Sequence, residues 1–419
     1  MAEEVTLPEQ TVGIAIQLAF EQLNRTTTNI KAYHIDSAFM TPTDGWSITL
    51  YEHTDRSLMF DLEMQPIQIF INGNLQVVGR VDSSEVGGNG HAVTLEGRDY
   101  IADLTECNVD PSIVIKEGMT LEQSILLAAS PLGVNNVVGD RFRFRNIQTG
   151  VNIQTKEADT KFLETKMGDY KANPGEGVFE FLNRIVQRHG ATIQPTDKRD
   201  TLAIVRPDYG QEPRYKIIRY GDNPAGVANN ILSATAKRDF SQFPTHVLVT
   251  GRSGGKGQQK AVAAINSEST LDELREAISK DPSATTLEDH MELFLPARNR
   301  SLLVTKRLKP GEENFVVGAL YRLLYIKDEL SKTSEQLNHI MLRNTYERVK
   351  NCLQYQVTLK GHEDPDTGAT YATDTVVEVT DEICGVNERL WIEHRTFDYS
   401  ETSGQTTTLT CWRLGSFLI

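Results

Sequence analysis

Short stretches of alternating apolar and polar residues, closed by glycine- and asparagine-rich turns, dominate two regions of this chain. The first region, Ile30 to Cys107, includes AYHIDSAFM, GWSITLYEH, LMFDLEM, PIQIFINGN and LQVVGRVDSSEV. The second includes LQYQVTLKGHE, TVVEVTDE, ERLWIEHRTFDYS and QTTTLTCWRLG. A period of two is typical of strands with one buried face, and many short strands predict a small barrel or sandwich. The sequence therefore predicts a mainly β, α+β protein.

The end of the first region, HAVTLEGRDYIADLTEC, predicts a strand that changes directly into a short helix. Gly97 is expected to break the strand, and Asp99 is placed to cap the turn that follows. Three apolar residues then fall at helical intervals: Tyr100, Ile101 and Leu104. We expect this helix to plug one end of the first β domain, because its apolar face would otherwise lie in water.

Three further segments carry helical patterns. Residues 9 to 24 predict an amphipathic amino-terminal helix, on the spacing of Val12, Ile16, Ala19, Phe20 and Leu23. Thr120 and Gln123 form the pattern of a capping box before a second helix. A third is expected from Val178 to His189, ended by Gly190 and followed by a hairpin around Asp197 to Asp200.

The predicted order of elements divides the chain into four parts. Residues 1–107 are expected to hold the amino-terminal helix and first β-barrel domain, and 108–212 a mixed α+β domain. Residues 213–252 and 301–419 would form a second, discontinuous barrel, with strands resuming near Ser301 and a long helix from about Ala319 to Asn351. Residues 253–300 would be an inserted subdomain, with a helix near Leu271 to Lys280.

Charge and cysteine content exclude several classes of protein. The formal charge is −14, spread along 419 residues, which disfavours a surface that grips nucleic acid through clustered Lys and Arg. No apolar run approaches the roughly 20 residues of a membrane span, and the first residues lack a signal-peptide pattern. The four cysteines show no metal-ligand or redox spacing and are expected to be reduced: Cys107, Cys352, Cys384 and Cys411.

The segment GRSGGKGQQK, Gly251 to Lys260, resembles two catalytic motifs without fitting either. A phosphate-binding loop needs glycine where Thr250 stands and Ser or Thr where Gly257 stands. A hydrolase nucleophile elbow, Gly-x-Ser-x-Gly around Ser253, needs a helix immediately afterwards, and KGQQK does not begin one. A flexible loop leading into the insertion is the better interpretation, and we expect Lys256 to bind no nucleotide.

The remaining chemistry-bearing residues predict no catalytic, cofactor-binding or metal-binding residue, and no cofactor. The nine histidines show no zinc-protease spacing, and His189 and His394 are interpreted as structural or surface residues. Trp46, Trp391 and Trp412 lie in strand patterns, where packing is the expected role. Carboxylates are numerous, but no spacing singles out a glycosidase-like pair.

Three segments, in the right order, resemble the baseplate hub proteins of contractile phage tails, the Mu-like tail hub or late control protein D family. VTLEGRDYIADLTECNV is similar to the family's first-domain signature at Gly97, Arg98, Asp99, Ala102, Asp103 and Leu104. GEGVFEFLNRIVQRHGATIQPTDKRDTLAIVRPD resembles its helix-and-hairpin segment at Phe181-Leu182, Gly190 and Arg206-Pro207. The segment from LQYQVTLKGHE to TTTLTC resembles its last barrel.

The resemblance implies a structural, non-enzymatic protein with two tube-protein-like barrels. Three chains would place six barrels in a ring that adapts a sixfold tail tube to a threefold central spike, with DNA passing through the channel without sequence-specific binding. Partners would be the tube, spike and wedge proteins, in a virion tail baseplate assembled in the host cytoplasm. Arg98 and Asp99 would hold the strand-to-helix corner.

Two other interpretations stay open. One is the hub of a tailocin or secretion-type contractile injection machine, and the other, of a different class, is a peptidoglycan-degrading tail hydrolase with β domains. The departures from the family pattern are the insertion at 253–300 and the amino-terminal helix.

Overall fold

The computed structural model describes residues 16–20, 25–27, 30–51, 64–87, 92–139, 163–187, 191–207, 209–221, 229–242, 246–252, 258–264, 323–328, 344, 348 and 350–414. Within these residues the chain is mainly β with few and short helices, which confirms the predicted α+β class. Its largest sheet has 13 strands and takes them from both ends of the chain. None of the helices described is long and apolar enough to cross a membrane.

Seven antiparallel strands form the amino-terminal sheet region, in the order β3-β4-β7-β6-β5-β1-β2. Their bounds are β1 Ile16–Phe20, β2 Arg25–Thr27, β3 Ile30–Ala38, β4 Gly45–Tyr51, β5 Pro66–Ile71, β6 Asn74–Val86 and β7 Ala92–Asp99. Asn72 and Gly73 join β5 to β6 with φ values of 50° and 74°, the left-handed pair that a tight hairpin requires. The strands predicted from alternation are confirmed here, while LMFDLEM lies outside the described residues except for Met64, which is in a turn.

The predicted amino-terminal helix is wrong over Ile16–Phe20, which forms β1. This strand pairs antiparallel with Ile67–Ile71 of β5, from Ile16 opposite Ile71 to Phe20 opposite Ile67. Apolar residues at 16, 18 and 20 fit a period of two as well as a helical one. The segment forms a strand because the backbone donors and acceptors along the edge of β5 need hydrogen-bond partners.

Gly97 does not break its strand, since β7 continues through it to Asp99. A Cβ at this position would lie 2.0 Å from the carbonyl oxygen of Arg80 and 2.5 Å from the indole of Trp46. The glycine is therefore needed for space between β6, β7 and the tryptophan, and not for a turn.

The middle region, residues 102–205, packs three helices against small sheets. Its elements are α1 Ala102–Glu106, β8 Val114–Ile115, α2 Leu121–Ala129, β9 Asn136–Val138, β10 Tyr170–Lys171, α3 Val178–Val186, β11 Thr192–Pro195 and β12 Thr201–Val205. The capping box is confirmed, because Thr120 Oγ1 accepts from Gln123 N at 3.1 Å and Gln123 Oε1 from Thr120 N at 3.0 Å. The predicted hairpin is also present as β11 and β12.

Helix α1 joins two regions; burial of its apolar face is confirmed, while its role in closing the end of a barrel stays a prediction. Tyr100, Ile101 and Leu104 are buried in a core shared with α2 and α3. Phe70, Leu75 and Val78 of β5 and β6 belong to the same core, while their neighbours Ile69 and Val77 belong to the main sheet core. The β5–β6 hairpin is thus buried on both faces, and α1 and the middle region cover its second face.

Six strands form the carboxyl-terminal sheet region, in the order β13-β19-β20-β21-β18-β14. Their bounds are β13 Tyr215–Arg219, β14 Ile231–Lys237, β18 Gln354–Lys360, β19 Thr375–Asp381, β20 Val386–Ser400 and β21 Gly404–Arg413. The two outer strands of this order, β13 and β14, contact each other through Asn230. The backbone N of Asn230 donates to Ile218 O at 3.2 Å, and its side-chain oxygen accepts from Ile218 N at 2.9 Å. Among the described strands, β13 and β14 do not pair with each other in a ladder, so barrel closure remains a prediction.

A separate three-stranded sheet tests two predictions. Its strands are β15 His246–Arg252, β16 Gln258–Ala264 and β17 Leu323–Asp328. The predicted helix from Ala319 is wrong over β17, which runs parallel to β15 with Leu323 opposite His246. The ends of the predicted loop segment are paired strands, with Gly251 opposite Gln259, and this pairing crosses the proposed domain boundary at residue 252, while residues 253–257 lie outside the described residues. The strand near Ser301 and the helix at Leu271 to Lys280 lie outside the described residues, and the domain boundaries stay predictions.

Candidate functional site: the junction of the two sheet regions

One long strand belongs to both sheet regions. Strand β20 pairs with β21 along most of its length, but on its other edge it pairs first with β19 and then with β3. The second pairing, His394–Ser400 with Ala32–Ala38, is called the seam below. Because the seam is a backbone ladder, it fixes the two regions as one continuous sheet.

The partner of β20 changes at Ile392 and Glu393. Ile392 O accepts from Asp374 N at 2.7 Å, and Glu393 O accepts from Phe39 N at 2.9 Å. A register irregularity between Ile392 and His394 marks the same point. Trp391 contacts the residues next to both partner strands. Its Nε1 donates to Oδ1 of Asp374, just before β19, at 2.8 Å, and its ring packs edge-on against that of Phe39, just after β3, at 5.3 Å.

Arg395 lies beneath the seam, on its buried side. Its guanidinium donates to Gln76 Oε1 at 2.8 Å, to Tyr371 O at 3.0 Å and to Ser37 Oγ at 3.1 Å, and it lies 4.1 Å from the centre of the Phe397 ring. These partners come from β3, β6 and the loop before β19, so one side chain connects three parts of the junction. Burial lowers the pKa of Arg395 to about 10, which leaves it charged at neutral pH.

Two carboxylates continue this network towards the strand-to-helix corner. Asp44 accepts from Ser37 Oγ at 2.7 Å and from Ala38 N at 3.1 Å. Asp99 accepts from Asp44 N at 3.1 Å and from Ile101 N at 3.0 Å. Burial raises the pKa of Asp44 to about 6, and burial with the charge of Asp44 raises that of Asp99. The buried network therefore runs from the corner to the carboxyl-terminal region.

The corner itself is held by a second, more exposed set of ion pairs. Arg98 Nε lies 2.6 Å from Asp82 Oδ2, and Arg80 Nε lies 2.9 Å from Asp82 Oδ1. Both arginines also pair with Glu106 of α1, and Arg80 pairs with Asp103. The expectation that Arg98 and Asp99 hold the corner is confirmed by these contacts.

A third connection ties the β5–β6 hairpin to the loop 361–371. Asn72 Nδ2 donates to Glu363 Oε1 at 2.7 Å, and Asn74 Nδ2 donates to Thr370 Oγ1 at 3.0 Å. His362, in the same loop, is buried and hydrogen-bonded to Tyr33 and Thr407, and burial lowers its pKa to about 3. It is therefore a neutral packing residue and not a base.

Several other residues singled out in the sequence lie in the described part of the chain. His394 pairs with Asp36 across the seam, whereas His189 lies outside the described residues. All three tryptophans are buried, and the four cysteines are free thiols, with Cys352 and Cys411 in the core. In the described part of the chain, no group of three or more His, Cys, Asp or Glu side chains is arranged to hold a metal ion.

Sequence reasoning missed Arg395 as the centre of the junction. A signal for it was present in ERLWIEHRTFDYS, because Arg395 is two residues from the buried Phe397 and so lies on the same face of the strand. A charged residue at an apolar position of an alternating strand indicates a buried polar network.

Comparison with known proteins identifies the fold. No family model and no curated protein matches this chain. The tail protein from Neisseria meningitidis has a TM-score of 0.67 at 18% identity, covering 97% of this chain and 98% of that chain. The 43 kDa tail protein of prophage MuSo2 from Shewanella oneidensis has a TM-score of 0.62 at 17% identity, covering 96% and 99%. The Francisella PdpA-VgrG complex matches with a TM-score of 0.53 at 10% identity, covering 97% of this chain and 58% of that chain.

The chain therefore has the fold of phage tail proteins over almost its whole length. At these identities the likeness concerns the fold alone, and at that level it confirms the resemblance found in the sequence.

Proposed function

We propose that this chain is the structural hub of a contractile phage tail baseplate. The observation that carries the proposal is the agreement of fold with two tail proteins over 96–97% of the chain. In this role three copies form a ring between the sixfold tail tube and the threefold central spike. The tube, spike and wedge proteins are the proposed partners, in a virion tail assembled in the host cytoplasm.

The junction supports this role because a symmetry adaptor needs two modules in a fixed relation. Each chain supplies two β-rich regions, so that three chains present six modules to the tube. The seam and the buried network beneath Arg395 join these regions by backbone and side-chain hydrogen bonds. A flexible linker would leave the six modules free to take unequal positions.

The charge of the chain agrees with the passage of DNA through such a ring. A formal charge of −14 gives an average repulsion towards phosphates, which disfavours adhesion to the channel wall. We infer a non-enzymatic protein, since the fold is that of tail proteins.

Electron microscopy of assembled particles tests the proposal. Particles would be isolated through an affinity tag on this chain and imaged without symmetry imposed. We expect three copies in one ring, with an axial opening between tube and spike. Particles containing one or six copies, or a position outside the tail axis, would refute the hub assignment. A free chain that is monomeric before assembly is compatible with it, because docking depends on partners.

A second candidate is the hub of a tailocin or secretion-type machine. The likeness to the Francisella PdpA-VgrG complex favours it, although this chain covers 58% of that chain. The same images separate the candidates. DNA-filled heads attached to the tagged tails support the phage assignment, and headless particles or membrane-anchored sheaths support the alternative.

A further inference from the structure

Each strand of the seam presents one histidine and one aspartate on its outer side. His34 Nδ1 lies 2.7 Å from Asp398 Oδ1, and His394 Nε2 lies 2.6 Å from Asp36 Oδ1. In the ladder, His34 stands directly opposite Asp398, while Thr396 stands opposite Asp36 and donates to its Oδ1 at 2.9 Å. These four charged residues, two pairs crossing the seam in opposite directions, are called the histidine clasp below.

The clasp lies on the face of the seam that water can reach. Residues on the opposite face of the same strands, such as Ile35, Arg395 and Phe397, are buried. The side chains of His34 and Asp398 are 54% and 44% exposed, and those of His394 and Asp36 are 30% and 43% exposed. Both pairs are therefore open to protons from solvent, and both connect the amino-terminal to the carboxyl-terminal sheet region.

We propose that the histidine clasp is a proton-controlled connection between the two sheet regions, tight when the imidazole of His394 is protonated and weaker when it is not. A protonated imidazole binds a carboxylate by charge and hydrogen bond, and a neutral one by hydrogen bond alone. The inference goes beyond the hub function and does not rest on it.

The charges around the clasp favour the protonated form of His394. The charged groups that act on the clasp are Glu393 and Arg395 of β20 and Asp44 of the β3–β4 loop. By register, Glu96 of β7 and Lys360 of β18 lie two strands away, and Lys350 acts on Glu393. The hydrogen bond to Asp36, aided by the charges of Glu393 and Asp44 and opposed by burial, raises the pKa of His394. Burial pushes the pKa of Asp36 upwards, but hydrogen bonds from His394 and Thr396 lower it overall.

These two directions define the pH range in which the clasp is strong. The contribution of His394 is fully present below its unfolded pKa of about 6.5 and is lost as pH rises through its higher folded pKa. The contribution of Asp36 is present above about pH 4 and is lost as pH falls through its lower folded pKa. The seam should thus be most stable at mildly acidic pH and should loosen towards alkaline pH.

Hydrogen exchange of the full chain, followed by mass spectrometry at pH 5.5, 7.0 and 8.5, tests this. After correction for intrinsic exchange rates, we expect opening of the seam peptides to increase roughly twofold to fivefold over this range, the size usual for one half-exposed ion pair. In the variant His34→Gln/His394→Gln the increase should disappear. The control Thr49→Ala removes the Thr49–Thr94 contact between β4 and β7 (3.2 Å) and should leave the pH dependence of the seam intact.

An equal pH dependence in the wild type and the double variant would overturn the proposal. A measurement on the wild type alone guards against a variant that does not fold. The imidazole of His394, titrated by NMR in the full chain, should have a pKa above the ordinary value of about 6.5. A value at or below this would also overturn the proposal, whatever the outcome of the hub test.

Discussion

At the scale of single residues, Arg395 places a guanidinium beneath two strands that lie far apart in the chain. Its partners Gln76, Ser37 and the carbonyl of Tyr371 compensate for its burial, and Asp44 supplies the main opposite charge. Removing one member of such a network leaves another buried charge without compensation. The stability of the junction therefore depends on the network as a unit.

We expect Arg395→Met to lower the free energy of unfolding by about 3–5 kcal/mol, the usual cost of breaking a buried charge pair. Urea unfolding at pH 7 measures this change. The control is Arg389→Met on the same strand, whose pair with Glu212 is 3.5 Å long and exposed, and which should cost less than about 1 kcal/mol. Equal losses in the two variants would show that Arg395 has no special role.

Gly97→Ala should also destabilise the protein, because its Cβ would overlap the Arg80 carbonyl and the Trp46 ring. Overpacking of this kind costs about 1–3 kcal/mol or more. Gly45→Ala, on the neighbouring strand β4, is a matched control, since a Cβ there meets nothing within 4 Å. Thermal unfolding of both variants compares them, and a Gly97→Ala protein as stable as Gly45→Ala would contradict the packing argument.

At the scale of elements, short segments connect the larger ones. Helix α1 has only five residues, yet it lies between the β5–β6 hairpin and helix α3. Asn230 takes the place of a strand ladder between β13 and β14. Both are local features on which the packing of whole sheets depends.

Leu104→Asp is expected to disrupt the joint made by α1. Leu104 is 1% exposed, and a carboxylate in its place would be buried without a partner, at a cost of about 3 kcal/mol or more. Leu127→Asp makes the same change at a position of α2 that is 38% exposed, and it should have little effect. Calorimetric melting of the two variants measures the difference, and an unchanged Leu104→Asp melting temperature would refute the buried joint.

Asn230→Ala should loosen the contact between β13 and β14. Its side chain accepts from Ile218 N at 2.9 Å and donates to Lys216 O at 2.8 Å, and loss of both leaves two backbone groups unpaired, at about 1–3 kcal/mol. Asn229→Ala, which removes one bond from Tyr220 N, is the milder comparison. Faster hydrogen exchange of β13 in Asn230→Ala than in Asn229→Ala would support the bridge, and equal rates would contradict it.

The strands were predictable where their alternation is long, as in β4 and β20, because burial of one face fixes the period. Ile16–Phe20 and Leu323–Asp328 were mistaken for helix, since short apolar patterns fit both periods and pairing with β5 or β15 decides the outcome. The seam was not predictable, because Asp36 and Thr396 are separated by 360 positions and no local pattern links them.

At the scale of the whole molecule, the 13-stranded sheet joins the two sheet regions through one continuous ladder. The hydrolase interpretation has a direct test. We expect a zymogram on peptidoglycan to show no clearing by the purified chain, with a lysozyme as the positive control. Reproducible clearing that a single carboxylate substitution abolishes would overturn the non-enzymatic assignment.

The shared strand β20 also affects the order of events during biosynthesis. Strand β3 can pair with β4 as soon as both have left the ribosome, but its other edge waits for residues made about 360 positions later. At about 5–20 residues per second this delay is roughly 20 to 70 seconds. During that time the nascent chain carries an open sheet edge, a site for aggregation or for chaperone binding. An incomplete chain would thus lack its seam, and its two sheet regions would not be joined by a ladder.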